Sequence, residues 1–197
     1  MYPVNYDIVV IGSGPGGSTT ARYAAKNGLR VLLIDKRQEL GAPIQCSGAI
    51  SANALEYVEI IADKEFIQEE IYGFGIFDEQ GNKVTIDYRE LKPEEYGETK
   101  KPLGFIVDRR RFDRYLMTMA ERENVDVSLK TEGMYYTPEK NGTCTLTIRR
   151  FNEEIKINTK VIVGADGLQS QVGKWAGLHT HIKLTELASC LQFVVEK

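Results

Sequence analysis

The stretch Tyr6-Asp-Ile-Val-Val-Ile-Gly12-Ser-Gly14-Pro15-Gly16-Gly17-Ser18, closed by Val31-Leu-Leu-Ile-Asp35, decides the fold of this chain. Ile8 to Ile11 is an uninterrupted apolar run, the pattern of a parallel strand buried on both faces. Gly12, Gly14 and Gly17 follow at the G-x-G-x-x-G spacing. Residues 18–27 then predict a helix whose small side chains, Ala21, Ala24 and Ala25, press on a sheet. Val31 to Ile34 is the second strand and Asp35 ends it. A β-α-β unit of this kind opens a doubly wound α/β sheet.

Each residue type in the stretch has a chemical reason. Gly12 lets the chain turn off the strand, Gly14 lets a pyrophosphate approach the backbone, and Gly17 allows helix and strand to pack closely. The helix start offers N–H groups and partial positive charge to the anion. Asp35, 18 residues after Gly17, is positioned to accept hydrogen bonds from both hydroxyls of an adenosine ribose, and its charge disfavours a 2′-phosphate there. Strand before, helix after and acid at the end of the next strand point to a dinucleotide site; a glycine-rich structural turn is the plainer alternative.

The 197 residues suffice for one domain and part of a second. Charge is balanced, with 25 Lys+Arg against 28 Asp+Glu, and no basic block argues for nucleic acid. Apolar runs stop well short of the ~20 residues that cross a bilayer. Cys46, Cys144 and Cys190 are widely spaced and form no Cys-x-x-Cys pair, which predicts reduced thiols in a cytoplasm rather than a disulfide frame or zinc site. His179 and His181 lack a third ligand nearby, so no metal is expected.

Outward from the opening unit, residues 36–48 read as a loop, and Ser51 as the cap of a helix through Leu55, Val58 and Ile61. Residues 71–77 and 83–86 read as a hairpin about a Gly-Asn turn, residues 89–101 as an irregular surface loop, and residues 104–108 as a strand. Asp108 caps a helix with Phe112, Tyr115, Leu116 and Met119 on its apolar face. Residues 125–129 form a strand, residues 133–157 a three-stranded meander, and Val161 to Gly164 a separate buried strand. A short helix lies near residues 169–175 and a last strand at 187–195. The expected division is a nucleotide-binding domain over 1–70 and 104–180, with 71–103 and 181–197 in a partial second domain built on another antiparallel sheet.

Three segments together resemble flavoproteins of the para-hydroxybenzoate hydroxylase type. They are the Gly12/Gly14/Gly17 turn with Asp35, Val107-Asp-Arg109-Arg-Arg-Phe112, and Val163-Gly-Ala-Asp166-Gly167-Leu-Gln-Ser170. The last is similar to a Gly-Ala-Asp-Gly-x-x-Ser fingerprint, in which a returning strand brings Asp and Gly to the flavin. The resemblance implies FAD, a Rossmann-like domain with a mixed β insertion, and cofactor roles for Asp166, Gly167, Arg109, Gly133, Pro15 and Gly16 beside the residues above. Alone, Arg109 would read as a solvated helix-start arginine and Asp166-Gly167 as a β-turn.

Within that superfamily the chain most resembles the geranylgeranyl reductases, particularly the archaeal enzymes that saturate the isoprenoid chains of ether lipids. The match includes residues 34–43, Gln45-Cys46-Ser47-Gly48-Ala49-Ile-Ser51, Phe112-Asp-Arg-Tyr-Leu116, Gly173-Lys-Trp-Ala-Gly-Leu178 and Ser189-Cys-Leu-Gln-Phe193. The family usually reads Cys-x-x-Gly; here glycine stands one place early, at Gly48. The resemblance assigns Cys46, Ser47, Gly48 and Ala49 to the cofactor site. Cys46 is a candidate catalytic proton donor or a flavin-facing loop residue, with a buried structural thiol as the other reading.

The implied reaction is reduction of a trisubstituted alkene in an isoprenoid lipid, with ferredoxin, a deazaflavin or NAD(P)H each fitting as electron donor. The expected location is the cytoplasm, with peripheral contact at a membrane surface. Relatives run about as long again, so the chain is expected to be an N-terminal portion or a truncated product, inactive alone and prone to self-association. The rival readings are an aromatic monooxygenase or halogenase on the same fold, and a non-catalytic partial flavoprotein.

Overall fold

In the computed structural model, which describes residues 5–42, 46–96, 101–180 and 182–188, the opening unit is β1 (Asn5–Ile11), α1 (Pro15–Lys26) and β2 (Val31–Ile34). Then come β3 (Ala49–Ser51), α2 (Ala52–Tyr57), β4 (Ile67–Ile71), β5 (Gly73–Phe77), β6 (Lys83–Asp87), α3 (Tyr88–Leu91), α4 (Pro93–Tyr96) and β7 (Gly104–Val107). The chain continues through α5 (Arg109–Arg122), β8 (Asp126–Ser128), β9 (Thr131–Pro138), β10 (Cys144–Arg150), β11 (Glu153–Gly164) and α6 (Gln171–Trp175).

Two compact units result, residues 1–42 with 113–197 and residues 43–112. The sequence-based division instead placed residues 43–70 and 104–112 with the nucleotide-binding part. In the first unit six strands form one sheet in the order β8-β2-β1-β11-β10-β9. The pairs β1–β2, β2–β8 and β1–β11 are parallel, and β10 is antiparallel to both its neighbours. Side chains alternate between the two faces, as the period of a strand requires. Val9, Ile11, Leu32 and Ile34 join a cluster with Leu146, Ile148 and Val172. Val10, Val31 and Leu33 join another with Ala21 of α1, Ala120 of α5 and Val125. Ala21 is a small buried residue on the helix, as its proposed contact with the sheet demands.

One expectation about this sheet is corrected. The last strand of the meander and the returning strand at residues 161–164 are a single twelve-residue strand, β11. Its first part pairs with β10, and its second, from Asn158 to Gly164, runs beside β1 in register with Asn5 to Ile11. The polar run Asn158-Thr159-Lys160 looked like a break but has partners throughout. The buried Thr159 hydroxyl lies within bonding reach of the Asp7 and Val161 carbonyls, Asn158 Nδ2 donates to Asn5 Oδ1, and Lys160 pairs with Asp7. Nor is the end of β11 wholly buried: Ile162 and Val163 pack on the two clusters, while Val161 is 47% exposed.

In the second unit β7 lies between β3 and β4, antiparallel to both, and β5 pairs with β6 in a two-stranded sheet among the described residues. The strand β4, Ile-Gln-Glu-Glu-Ile, carries too little alternation to be foreseen. Ser51 caps α2 by accepting from Ala54 N–H at 3.1 Å. That helix stops well before Ile61: Glu59 takes φ 53°, and Ile60 N–H bonds back to the Leu55 carbonyl, a helix-ending arrangement. The hairpin turn is organised by Asp78, whose Oδ1 accepts from the N–H groups of Gln80 and Asn82. Residues 89–101 were expected to be an irregular loop; their first part instead falls in the short helices α3 and α4, and residues 97–100 lie outside the described residues. The expected strand at 187–195 lies almost wholly outside the described residues, and Leu187 and Ala188 are not in a strand.

Candidate functional site

The glycine turn is held from two sides. Gly12 N–H donates to the Ile34 carbonyl at 2.8 Å, and Ala165 N–H to the Ile11 carbonyl at 2.8 Å, so the ends of β1, β2 and β11 converge there. Gly12 has φ 105°, and a Cβ on it would lie 2.6 Å from the Ala165 carbonyl carbon. A Cβ on Gly17 would lie 2.9 Å from the Gly12 carbonyl carbon. The fold itself demands these two glycines.

It does not demand Gly14 or Gly16. Gly14 has φ −69°, which any residue adopts, and a Cβ at either position would meet no atom within 4 Å. Gly14 is the N-cap of α1 with no side-chain cap, Pro15 takes the first helical positions, and the first turn holds no acid. The first helical bond is Ser18 N–H to the Gly14 carbonyl, at 3.0 Å. The amide groups before it have no acceptor within the helix, and Gly14 and Gly16 border open space at the positive end of this twelve-residue helix, which fits a diphosphate.

Asp35 stands beside this turn, buried to 4% exposure. Its Oδ2 accepts from Ser13 N–H at 2.8 Å, Ser13 Oγ at 2.7 Å and Arg37 Nη2 at 2.7 Å. Its Oδ1 accepts from Arg37 N–H at 2.8 Å and Arg37 Nε at 3.0 Å. Burial pushes this carboxyl up, but the bonds from Arg37 and Ser13 outweigh it and hold the pKa at about 2. Asp35 is thus ionised and engaged. Neither Ser13 nor Arg37 was singled out from sequence. The only signal for Arg37 is a cation two places beyond the acid; Ser13 occupies a variable position of the motif.

The Asp166-Gly167 return reaches the same turn, since a Cβ on Gly12 would also lie 3.0 Å from Asp166 N. Asp166 Oδ2 accepts from Val172 N–H at 2.9 Å, tying the return to α6, and Gly167 is exposed with open space around it. Gly133 lies in β9, where a Cβ would stand 3.0 Å from Ile11 Cδ1 and 3.3 Å from the Trp175 ring. That close packing gives this glycine a structural reason.

The remaining predicted residues share the second unit. Cys46 is exposed, which removes the reading of a buried structural thiol, and its sulfur accepts from Gly48 N–H at 3.5 Å. Ser47 and Ala49 are exposed too. Gly48 is buried with φ 80°, and a Cβ there would collide with the Val107 carbonyl. Its own carbonyl accepts from Val107 N–H at 3.0 Å, and Ala49 pairs with Ile106. Arg109, first residue of α5, follows two places after Val107. The Cys46 loop and the start of α5 therefore lie at one end of the β3–β7 pair. Asp108 caps α5, accepting from the N–H groups of Arg110 and Arg111.

Among the described residues no group of His, Cys, Asp and Glu could hold a metal ion. His181 and Cys190 lie outside them. Cys144 is half-buried with its thiol pushed up by burial and by the nearby Glu139 charge.

The chain is 39% identical to a digeranylgeranylglycerophospholipid reductase of Methanocella arvoryzae over 191 residues, 96% of this chain and 46% of that protein. A geranylgeranyl bacteriochlorophyll reductase-like crystal structure from Thermoplasma acidophilum superposes with a TM-score of 0.80 at 34% identity, over 91% of this chain and 44% of that one. These are the relatives the sequence resemblance pointed to. The p-nitrophenol 4-monooxygenase of Pseudomonas putida shares the fold alone, with a TM-score of 0.72 at 17% identity over 89% of this chain and 44% of that one. The chain spans less than half the length of the curated relatives it matches. The pattern of the FAD binding domain family extends over residues 5–194, nearly the whole sequence, and the chain belongs to that family, with FAD as its cofactor.

Proposed function

We propose that this chain is the FAD-binding part of a reductase that saturates the double bonds of geranylgeranyl chains on ether lipids or prenyl diphosphates. The observation that carries the reading is the pair of glycines, Gly14 and Gly16, that border open space at an uncapped helix start, together with the 39% identity to a digeranylgeranylglycerophospholipid reductase. The chemistry that FAD would supply here, when bound and reduced by an external donor, is hydride transfer to the alkene. The chain's own residues bind and orient: the α1 amide groups hold the diphosphate, Asp35 faces the adenosine ribose, and the Asp166-Gly167 return borders the same turn. Cys46, exposed in its loop, is the candidate to deliver a proton from Sγ to the neighbouring carbon, because an isolated alkene is a poor hydride acceptor without one. Ferredoxin, a deazaflavin and NAD(P)H all remain consistent as donors. No helix among the described residues is long and apolar enough to cross a membrane. The reading places the encounter with the lipid at a membrane surface because that is where isoprenoid lipid chains reside.

The test is anaerobic incubation of the complete protein, loaded with FAD and reduced by dithionite, with geranylgeranyl lipid. Mass spectrometry should show products heavier by successive pairs of hydrogens, and Cys46→Ala should slow their formation while leaving bound FAD in place. Unchanged lipid mass with flavin bound and reduced would contradict the substrate assignment.

A further inference from the structure

Asp35 has more hydrogen-bond donors than an ionised carboxylate comfortably takes. Its two oxygens offer about four lone-pair sites, yet five donor groups reach them. Three of these, Ser13 N–H, Ser13 Oγ and Arg37 N–H, sit on or next to backbone that the glycine turn and β2 fix. The other two, Nε and Nη2 of Arg37, form a parallel fork with one contact to each oxygen, at 3.0 and 2.7 Å. They can leave without any movement of the main chain, and the Arg37 side chain is already 36% exposed.

The vicinal hydroxyls of a ribose present the same pattern, two donors side by side, one for each carboxylate oxygen. Both groups cannot occupy those positions at once. We propose that the Arg37 fork holds the ribose-diol position of Asp35, and that an adenosine ribose binds there by displacing the guanidinium. This rests on the reading that Asp35 faces the adenosine ribose, and it adds a determinant of affinity to that site. With the fork in place Asp35 remains compensated in its buried setting when no nucleotide is bound. Affinity for nucleotide is lowered by the need to break two charge-assisted bonds first.

The test is titration of the 197-residue chain with FAD, ADP and 2′-deoxy-ADP, for wild type, Arg37→Met and Arg37→Lys. Methionine keeps the length of the side chain and removes the fork; lysine keeps the charge and loses the bidentate geometry. Arg37→Met is expected to bind FAD and ADP about tenfold more tightly, roughly the equivalent of one charge-assisted bond no longer broken. Arg37→Lys should fall between it and wild type. For 2′-deoxy-ADP the gain should shrink, because one hydroxyl that replaces the fork is missing. Unchanged or weaker FAD and ADP binding in both variants, with wild type still preferring ADP over 2′-deoxy-ADP, would overturn the displacement while leaving the ribose at Asp35. Equal binding of ADP and 2′-deoxy-ADP by wild type would overturn the ribose assignment and the displacement with it.

Discussion

Ser13 gives both of its donors to a single atom of Asp35: its N–H and its hydroxyl reach Oδ2 at 2.8 and 2.7 Å. The residue between the first two glycines is thereby tied to the end of the next strand. The carboxylate that follows β2 helps in this way to shape the glycine turn itself.

This tie makes stability depend on pH in a specific window. The folded carboxyl sits at about 2, below its ordinary value of 3.8. Its contribution is therefore complete above about pH 4 and is lost as pH falls from 4 towards 2. A shift of this size corresponds to about 2 kcal/mol. Urea unfolding followed between pH 6 and 2.5 should show wild type losing about that much more than Asp35→Asn over the acid limb. Parallel curves for the two proteins would contradict the assignment.

Gly17→Ala should damage the fold itself. Its Cβ is driven onto the Gly12 carbonyl, where only backbone can yield, and overpacking of this kind costs about 1–3 kcal/mol. The melting temperature should drop by several degrees with or without FAD present. A variant that melts like wild type would show that α1 and β1 are not as closely apposed as described.

The two described thiols should differ in reactivity. Cys46 is exposed, whereas Cys144 is half-buried, donates to the Thr159 carbonyl at 3.5 Å and has its thiol pushed up. Brief alkylation at neutral pH followed by peptide mapping should label Cys46 well before Cys144. Equal labelling, or Cys144 first, would contradict the exposure of the Cys46 loop.

The parts of the fold legible in the sequence were those where local pattern and burial agree. The apolar runs at Ile8–Ile11 and Val31–Ile34 are strands paired residue for residue. Asp108 and Ser51 cap the helices they were expected to cap. Polar chain hid the rest. Asn158-Thr159-Lys160 reads as a break because its partners, Asn5 and Asp7, lie about 150 residues away. The end of α2 depends on Glu59 adopting a left-handed conformation, for which glutamate gives no signal. At the candidate site, the spacing pointed to Gly12, Gly14, Gly17 and Asp35, which the structure brings to one turn. The Arg37 fork is a side-chain geometry with no sequence period to betray it, and Gly133 has a structural reason in its packing between Ile11 and Trp175.

The most direct test of the account is FAD titration of Gly14→Ala beside its thermal melt. A Cβ on Gly14 meets no protein atom and its φ is ordinary, so the fold should tolerate it, with a shift of no more than about 3 °C from the poorer helix cap. The methyl group would stand where the diphosphate approaches the helix start, so FAD affinity should fall by about tenfold or more, the equivalent of at least one charge-assisted hydrogen bond. A normal melt with weakened FAD binding is the predicted result. A normal melt with unchanged FAD affinity would place the diphosphate elsewhere and contradict the central claim.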